Sequence, residues 1–210
     1  METVIEAMGF AEGSEVITTP FTFASTTYAI ARNGMVPVFC DVNPVDYTMD
    51  VTEIEALITD KTVAIVSAHV YGNMCDDDAI MTISKKYGLK VICDATHAFG
   101  ASYKGRNAGA LCDASMFGFH AIKVFNTIEG GAVCCHDDTL VSKLNDYKNF
   151  CQHTPKDVIY AAGNVCGVGR ESKSQSTDVK RSYAEFVHYL SHDGGVGRRC
   201  GTAGGTAVDR

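Results

Sequence analysis

Six short, almost uninterrupted apolar runs constrain this chain more than any other feature. They are EVITTP (15–20), PVFCDV (37–42), TVAIVSAHV (62–70), LKVICDA (89–95), ASMFGF (114–119) and GGAVCCH (130–136). Each is short, most are rich in β-branched residues, and they lack the apolar–polar alternation of a half-exposed strand. Such runs describe strands buried on both faces. Two buried faces need two covers, and the segments between the runs supply them. ASTTYAIARNG (24–34), VTEIEALITD (51–60) and DDDAIMTISKKYG (76–88) read as helices. The third opens on an acidic turn and closes on lysines before Gly88, which matches the dipole at both helix ends. A further helix is expected over 139–150. The alternation predicts an α/β domain: a mostly parallel sheet flanked by helices in three layers, αβα. In such sheets ligands collect at the carboxyl ends of the strands.

The pattern stops near residue 164. Residues 165–210 are rich in Gly, Ser and Arg, and only YAEFVHYLSH (183–192) has the apolar content of a helix. The expected organisation is therefore one domain over 1–164 and an atypical, poorly ordered tail over 165–210. A net charge of −7 argues against nucleic acid as a partner. No apolar run is long enough to span a membrane, and the acidic opening METVIEAMGFAEG is unlike a signal peptide. The nine cysteines sit largely in apolar strand runs with no CxxC pair, which reads as buried, reduced thiols in a cytoplasmic protein and argues against a metal site.

Within this frame, two residues stand at strand ends with complementary chemistry. Asp94 closes LKVICDATHAFG, with His97 three residues on, and Lys123 follows in ASMFGFHAIKVFNTIEGGAV. Asp94 alone also reads as a helix N-cap, and Lys123 alone as a surface lysine whose stem lies along apolar surface. Together they offer an acid and an amine to one crevice. That pairing suits pyridoxal 5'-phosphate: the lysine forms a Schiff base with the aldehyde, and the aspartate keeps the pyridine nitrogen protonated. Apolar surroundings would favour a neutral amine able to move protons.

The ordered series EGSEVITTPFTFAST, PVFCDV, AIVSAHVYGN, VICDATHAFGASYKGR and CDASMFGFHAIKVFNTIEGGAV resembles the DegT/DnrJ/EryC1/StrS family of sugar aminotransferases. The family has the aspartate-aminotransferase-like, fold-type-I large domain, and the resemblance covers about residues 1–164. It implies Lys123 as the Schiff-base lysine and Asp94 as the partner of the pyridine nitrogen. It also implies His97 near the cofactor's phenolic oxygen and Phe23 stacked on the pyridine ring, with His120 close by. Phe23 also reads as an ordinary core residue, His97 and His120 as packing residues, and Tyr71–Gly72 as a plain turn. The resemblance further implies amino transfer, usually from glutamate, to a nucleotide-linked keto-sugar by a cytoplasmic homodimer.

Departures from the family pattern leave alternatives open. Gly118 stands where the family usually carries a serine whose hydroxyl bonds the cofactor phosphate, Ile122 where it carries threonine, and Thr96 where it carries a smaller residue. A phosphate-binding segment upstream of METVIEAMGFAEG and a small domain after residue 164 are expected to be missing. Each charged hydrogen bond lost in this way removes about 1.5–3 kcal/mol. An inactive or decayed pyridoxal-phosphate-binding fragment, and another fold-type-I enzyme, are the rival readings. The tail reads as a shifted reading frame or an unrelated fusion.

Overall fold

The computed structural model of the chain describes residues 1–128 and 130–148, together with the strand at 187–191. In chain order the elements are α1 (Glu2–Met8), β1 (Glu15–Thr18), α2 (Ala24–Arg32), β2 (Val36–Phe39), α3 (Val51–Leu57) and β3 (Thr62–Ala68). Then follow α4 (Asp77–Tyr87), β4 (Lys90–Asp94), a small hairpin of β5 (Ser102–Tyr103) and β6 (Arg106–Asn107), β7 (Ala114–Gly118), β8 (Gly131–Cys135), α5 (Asp138–Lys148) and β9 (Val187–Ser191).

All six apolar runs are strands of one sheet, ordered β2-β1-β3-β4-β7-β8-β9. Pairing is parallel from β2 through β7. β8 then runs antiparallel to β7. The described residues between β7 and β8 include no crossover helix, and a strand reached that way has to reverse direction. The sheet is thus mostly parallel, as expected, with a reversed margin.

Strand parity distributes side chains to two cores. Val16, Ala64, Val66 and Ile92 meet Val4 and Ile5 of α1, Ile30 of α2, and Leu140 and Leu144 of α5. Their neighbours Ile17, Ile65 and Val91 face the other way, against Ile54 of α3 and Ile80 and Ile83 of α4. Each fully buried isoleucine or leucine contributes roughly 1.5–3 kcal/mol, which is why both faces of the central strands are apolar. α4 starts where its sequence predicts: Asp76 accepts the Ala79 N–H at 3.2 Å, and Gly88 ends the helix in the left-handed region at φ 70°.

Three expectations differ from what is observed. Residues 187–191, inside the window read as a helix, form a strand parallel to β8, in register from Gly131↔Val187 to Cys135↔Ser191. VHYLS carries β-branched and aromatic residues, and the open edge of β8 offers its backbone a ladder that outweighs a weak helical pattern. The rest of the 165–210 tail, and the end of the 139–150 helix beyond Lys148, lie outside the described residues. The cysteines divide. Cys40, Cys75, Cys134 and Cys135 are free and buried, with burial pushing the thiols of Cys40 and Cys75 up to about 12. Cys93 and Cys112 instead form a disulfide, because β4–β7 pairing brings residues 19 apart in sequence together. Finally, β5–β6 in ASYKGRN is a hairpin that carried no strand pattern to read.

Candidate active site

The chain leaves β1 for β2 on one side and returns to β3 on the other, so the carboxyl ends of β1 and β3 part at a crevice. A cleft of about 330 Å³ lies there. Residues Pro20 to Phe23 and Ser25, which follow β1, form one wall. Ala68 to Tyr71, at the end of β3, form another, and Asp94, Thr96 and His97 close the site from β4 with Lys123 from beyond β7.

Asp94 is half-buried at the last position of β4. A turn follows it, not a helix, so the capping reading does not apply. Oδ1 instead accepts the Thr96 N–H at 3.1 Å and the Thr96 hydroxyl at 2.6 Å. Oδ2 accepts the hydroxyl of Thr26 at 2.9 Å, reaching up from the buried face of α2. These donors orient the carboxylate without neutralising it.

His97 sits three residues on and faces the amine: its Nε2 lies 3.0 Å from Lys123 Nζ. Its Nδ1 accepts the Tyr71 N–H at 3.3 Å, and the two rings lie parallel, 6.1 Å apart. Desolvation, then the Lys123 cation, hold the imidazole pKa below its ordinary value, against the pull of Asp94. Which partner donates across the 3.0 Å contact with the amine follows the tautomer of the ring. Tyr71 reaches His97 because its backbone takes the left-handed region at φ 56°. Gly72 follows at φ 87°, where a Cβ would come 3.2 Å from the His97 carbonyl. The Tyr–Gly pair is therefore a strained turn fitted to the cleft, not a plain one.

Lys123 lies five residues past β7, in the loop to β8. The loop is held by the Thr127 N–H to the Phe119 carbonyl, by the Lys123 N–H to the His120 carbonyl, and by Phe125 stacked on Phe99 at 4.7 Å. The apolar flanks that suggested a hydrophobic setting for the amine do not provide one: Ile122 and Val124 are 80% and 89% exposed. Side chains adjacent in sequence diverge in a turn, so the neighbour that matters is the imidazole.

Phe23 is 78% exposed and lines the cleft at the start of α2, which rules out the core reading. His120 is exposed and is not among the lining residues; its Nδ1 accepts the Ile122 N–H at 3.4 Å, a turn contact. The structure thus brings Asp94, His97, Phe23 and Lys123 together and leaves His120 outside. Reading the sequence missed Thr26 and the bonding role of Thr96. A hydroxyl within ASTTYAIAR carries no pattern, and only the meeting of α2 with β4 gives it a partner. His69, Asp77 and Cys93 also converge, with ligating atoms within 4.8 Å of one another. Cys93 is engaged in the disulfide and offers no thiolate there.

An acid ending one parallel strand and an amine beyond the next, meeting over the crevice of such a sheet, define an α/β scaffold of the fold-type-I aminotransferase class. The chain belongs to the DegT/DnrJ/EryC1/StrS aminotransferase family, whose model matches residues 1–173. It is 44% identical over 148 residues to a dTDP-4-amino-4,6-dideoxy-D-glucose transaminase of Shigella dysenteriae, covering 70% of this chain and 40% of that one. It is 37% identical over 144 residues to a GDP-perosamine synthase of Caulobacter vibrioides, covering 69% and 39%. Among solved structures it resembles DesI determined in the presence of its TDP-sugar product, with TM-score 0.69 and 36% identity over 72% of this chain and 38% of that one. NtdA of Bacillus subtilis with bound cofactor PMP matches with TM-score 0.65 and 30% identity, over 70% and 33%. The chain spans about two fifths of the length of the curated relatives it matches. Among the described residues no helix is long and apolar enough to cross a membrane.

Proposed function

We propose that residues 1–164 form a pyridoxal 5'-phosphate-binding large domain and that the whole protein transfers an amino group, from a donor such as glutamate, to a nucleotide-linked keto-sugar. The observation that carries this reading is the convergence of Asp94 and Lys123, from two different strand ends, on one cleft with His97 touching the amine. The residues present fit the ring and aldehyde ends of the cofactor. Asp94 offers an anchored anion to a ring nitrogen, Phe23 an exposed aromatic face, and Lys123 a primary amine. The fit is weaker for a phosphate, since residue 118 is glycine and presents no hydroxyl.

When bound, pyridoxal phosphate supplies an aldehyde and a ring that withdraws electrons from the substrate carbon. The chain's residues do the rest. Asp94 holds a proton on the ring nitrogen while Thr26 and Thr96 hold Asp94. Lys123 would be the amine that engages the aldehyde of the bound group and would hold or move a proton beside the substrate carbon. His97 orients the Lys123 nitrogen from 3.0 Å. The relatives named for dTDP-, GDP- and TDP-linked sugars support the nucleotide-sugar class. A homodimer and a cytoplasmic location belong to the same reading.

The test is to incubate the chain with pyridoxal phosphate, reduce with borohydride and map the labelled peptide. A visible band, label on Lys123, and loss of both in Lys123→Ala are expected. Absence of the band in the unaltered chain would refute the reading. A band that glutamate does not bleach would favour the rival, a binding domain without turnover, which Gly118 makes a specific alternative.

A further inference from the structure

Gly118 is a glycine without a backbone reason: its φ lies outside the left-handed range, unlike Gly72 or Gly88. What it faces explains it. A Cβ built on Gly118 would come 2.9 Å from Thr96 Cγ2 and 3.6 Å from Thr96 Oγ1. The methyl of Thr96 therefore fills the space over the end of β7 that a side chain at 118 would take. The same threonine gives the Asp94 carboxylate two of the three hydrogen bonds it accepts among the described residues, one of them the 2.6 Å contact from Oγ1. Real Cβ atoms do not approach a methyl to 2.9 Å, and Thr96 cannot rotate away without breaking the hydroxyl bond to Asp94.

We propose that Thr96 is a positioning residue for Asp94, and that Gly118 is the vacancy that lets it act: the two form one unit across the ends of β4 and β7. The methyl, wedged over Gly118, fixes the rotamer that aims the hydroxyl at Oδ1. The hydroxyl fixes the carboxylate in the direction of the cleft. This rests on the reading of Asp94 as the partner of a pyridine nitrogen, and it goes beyond that reading by naming what holds the partner in place.

Four variants of the full chain separate the parts. Thr96→Val keeps the shape and removes the hydroxyl; Thr96→Ser keeps the hydroxyl and removes the methyl; Gly118→Ala inserts the clash; Thr96→Ser with Gly118→Ala relieves it. Urea unfolding of the cofactor-free chains gives the packing half. Gly118→Ala should destabilise the unaltered chain and do so much less in the Thr96→Ser background; equal losses in both backgrounds overturn the pairing. Pyridoxal phosphate titration followed by absorbance gives the positioning half. Thr96→Val should bind about tenfold more weakly and shift the pH midpoint of the bound band, while Thr96→Ser, which keeps the hydroxyl but frees its rotamer, should fall between Thr96→Val and the unaltered chain. Unchanged affinity and midpoint in Thr96→Val overturn it. If the unaltered chain shows no band at all, the cofactor reading and the positioning role fail together. The unfolding cycle then still accepts or rejects the Thr96–Gly118 pairing.

Discussion

Asp77 and His69 make the sharpest test of the energetics of this fold. Asp77 opens α4 with its side chain 1% exposed, and His69 follows β3 at 0%. Their facing atoms, Oδ2 and Nε2, are 4.0 Å apart, and neither has a hydrogen-bond partner. Burial pushes the Asp77 carboxyl up to about 7, with Arg106 opposing and Asp76 and Asp78 adding. Burial pushes His69 down to about 4, with Asp94 opposing. The two act on stability with opposite signs. The folded state favours protonated Asp77, so its contribution is present below about pH 4 and is lost as pH rises through 7. A gap of about three pH units corresponds to about 4 kcal/mol. The folded state favours neutral His69, so stability is lost as pH falls from about 6.5 to 4, by about 3 kcal/mol. In the unaltered chain these slopes nearly cancel between pH 4 and 6.5. Single substitutions expose each. Asp77→Asn should gain about 3 kcal/mol in stability from pH 4 to 7. At pH 8 it should exceed the unaltered chain, by the roughly 4 kcal/mol of removed charge burial less about 1–3 kcal/mol for the unpaired amide. His69→Asn should show the reverse slope, losing about 4 kcal/mol from pH 4 to 7. Urea unfolding followed by circular dichroism at each pH measures both. If Asp77→Asn runs parallel to the unaltered chain across this range, the reasoning is refuted.

Other outcomes follow from single features. Ile128 is 76% exposed and holds φ 73°, a conformation costly for a β-branched residue, so Ile128→Gly should stabilise the chain by about 1 kcal/mol in thermal unfolding. Asp50 caps α3 by accepting the Thr52 N–H at 2.9 Å and its hydroxyl at 2.7 Å, bonds that hold its pKa below the usual carboxylate value. Asp50→Ala should cost about 1 kcal/mol at neutral pH and progressively less as the unaltered carboxyl is titrated in acid. Leu144 on α5 is 1% exposed in the core shared with α1 and α2, so Leu144→Ala should cost about 2–5 kcal/mol by denaturant unfolding. A cost below 1 kcal/mol would mean that α5 does not pack as described.

Sequence alone determined the order and type of the six long strands from β1 to β8 and of the helices between them, because burial on both faces leaves a signature no single substitution hides. Runs such as TVAIVSAHV can satisfy neither a surface strand nor a surface helix. It also singled out Asp94 and Lys123, since strand ends are visible as the points where apolar runs stop and each residue carries chemistry unusual for that place. Tertiary structure decided the rest, because the rest depends on residues far apart in sequence. It set the reversal of β8, the pairing of 187–191 along its edge where local pattern suggested a helix, and the Cys93–Cys112 bond. It turned the apolar flanks of Lys123 to solvent and gave the amine His97 instead, and it left His120 outside the cleft. It also brought Thr26 and Thr96 to the two oxygens of Asp94. Periodicity reports how a segment divides its own faces between core and solvent. Which donor meets which acceptor across those faces is fixed only when the sheet is assembled.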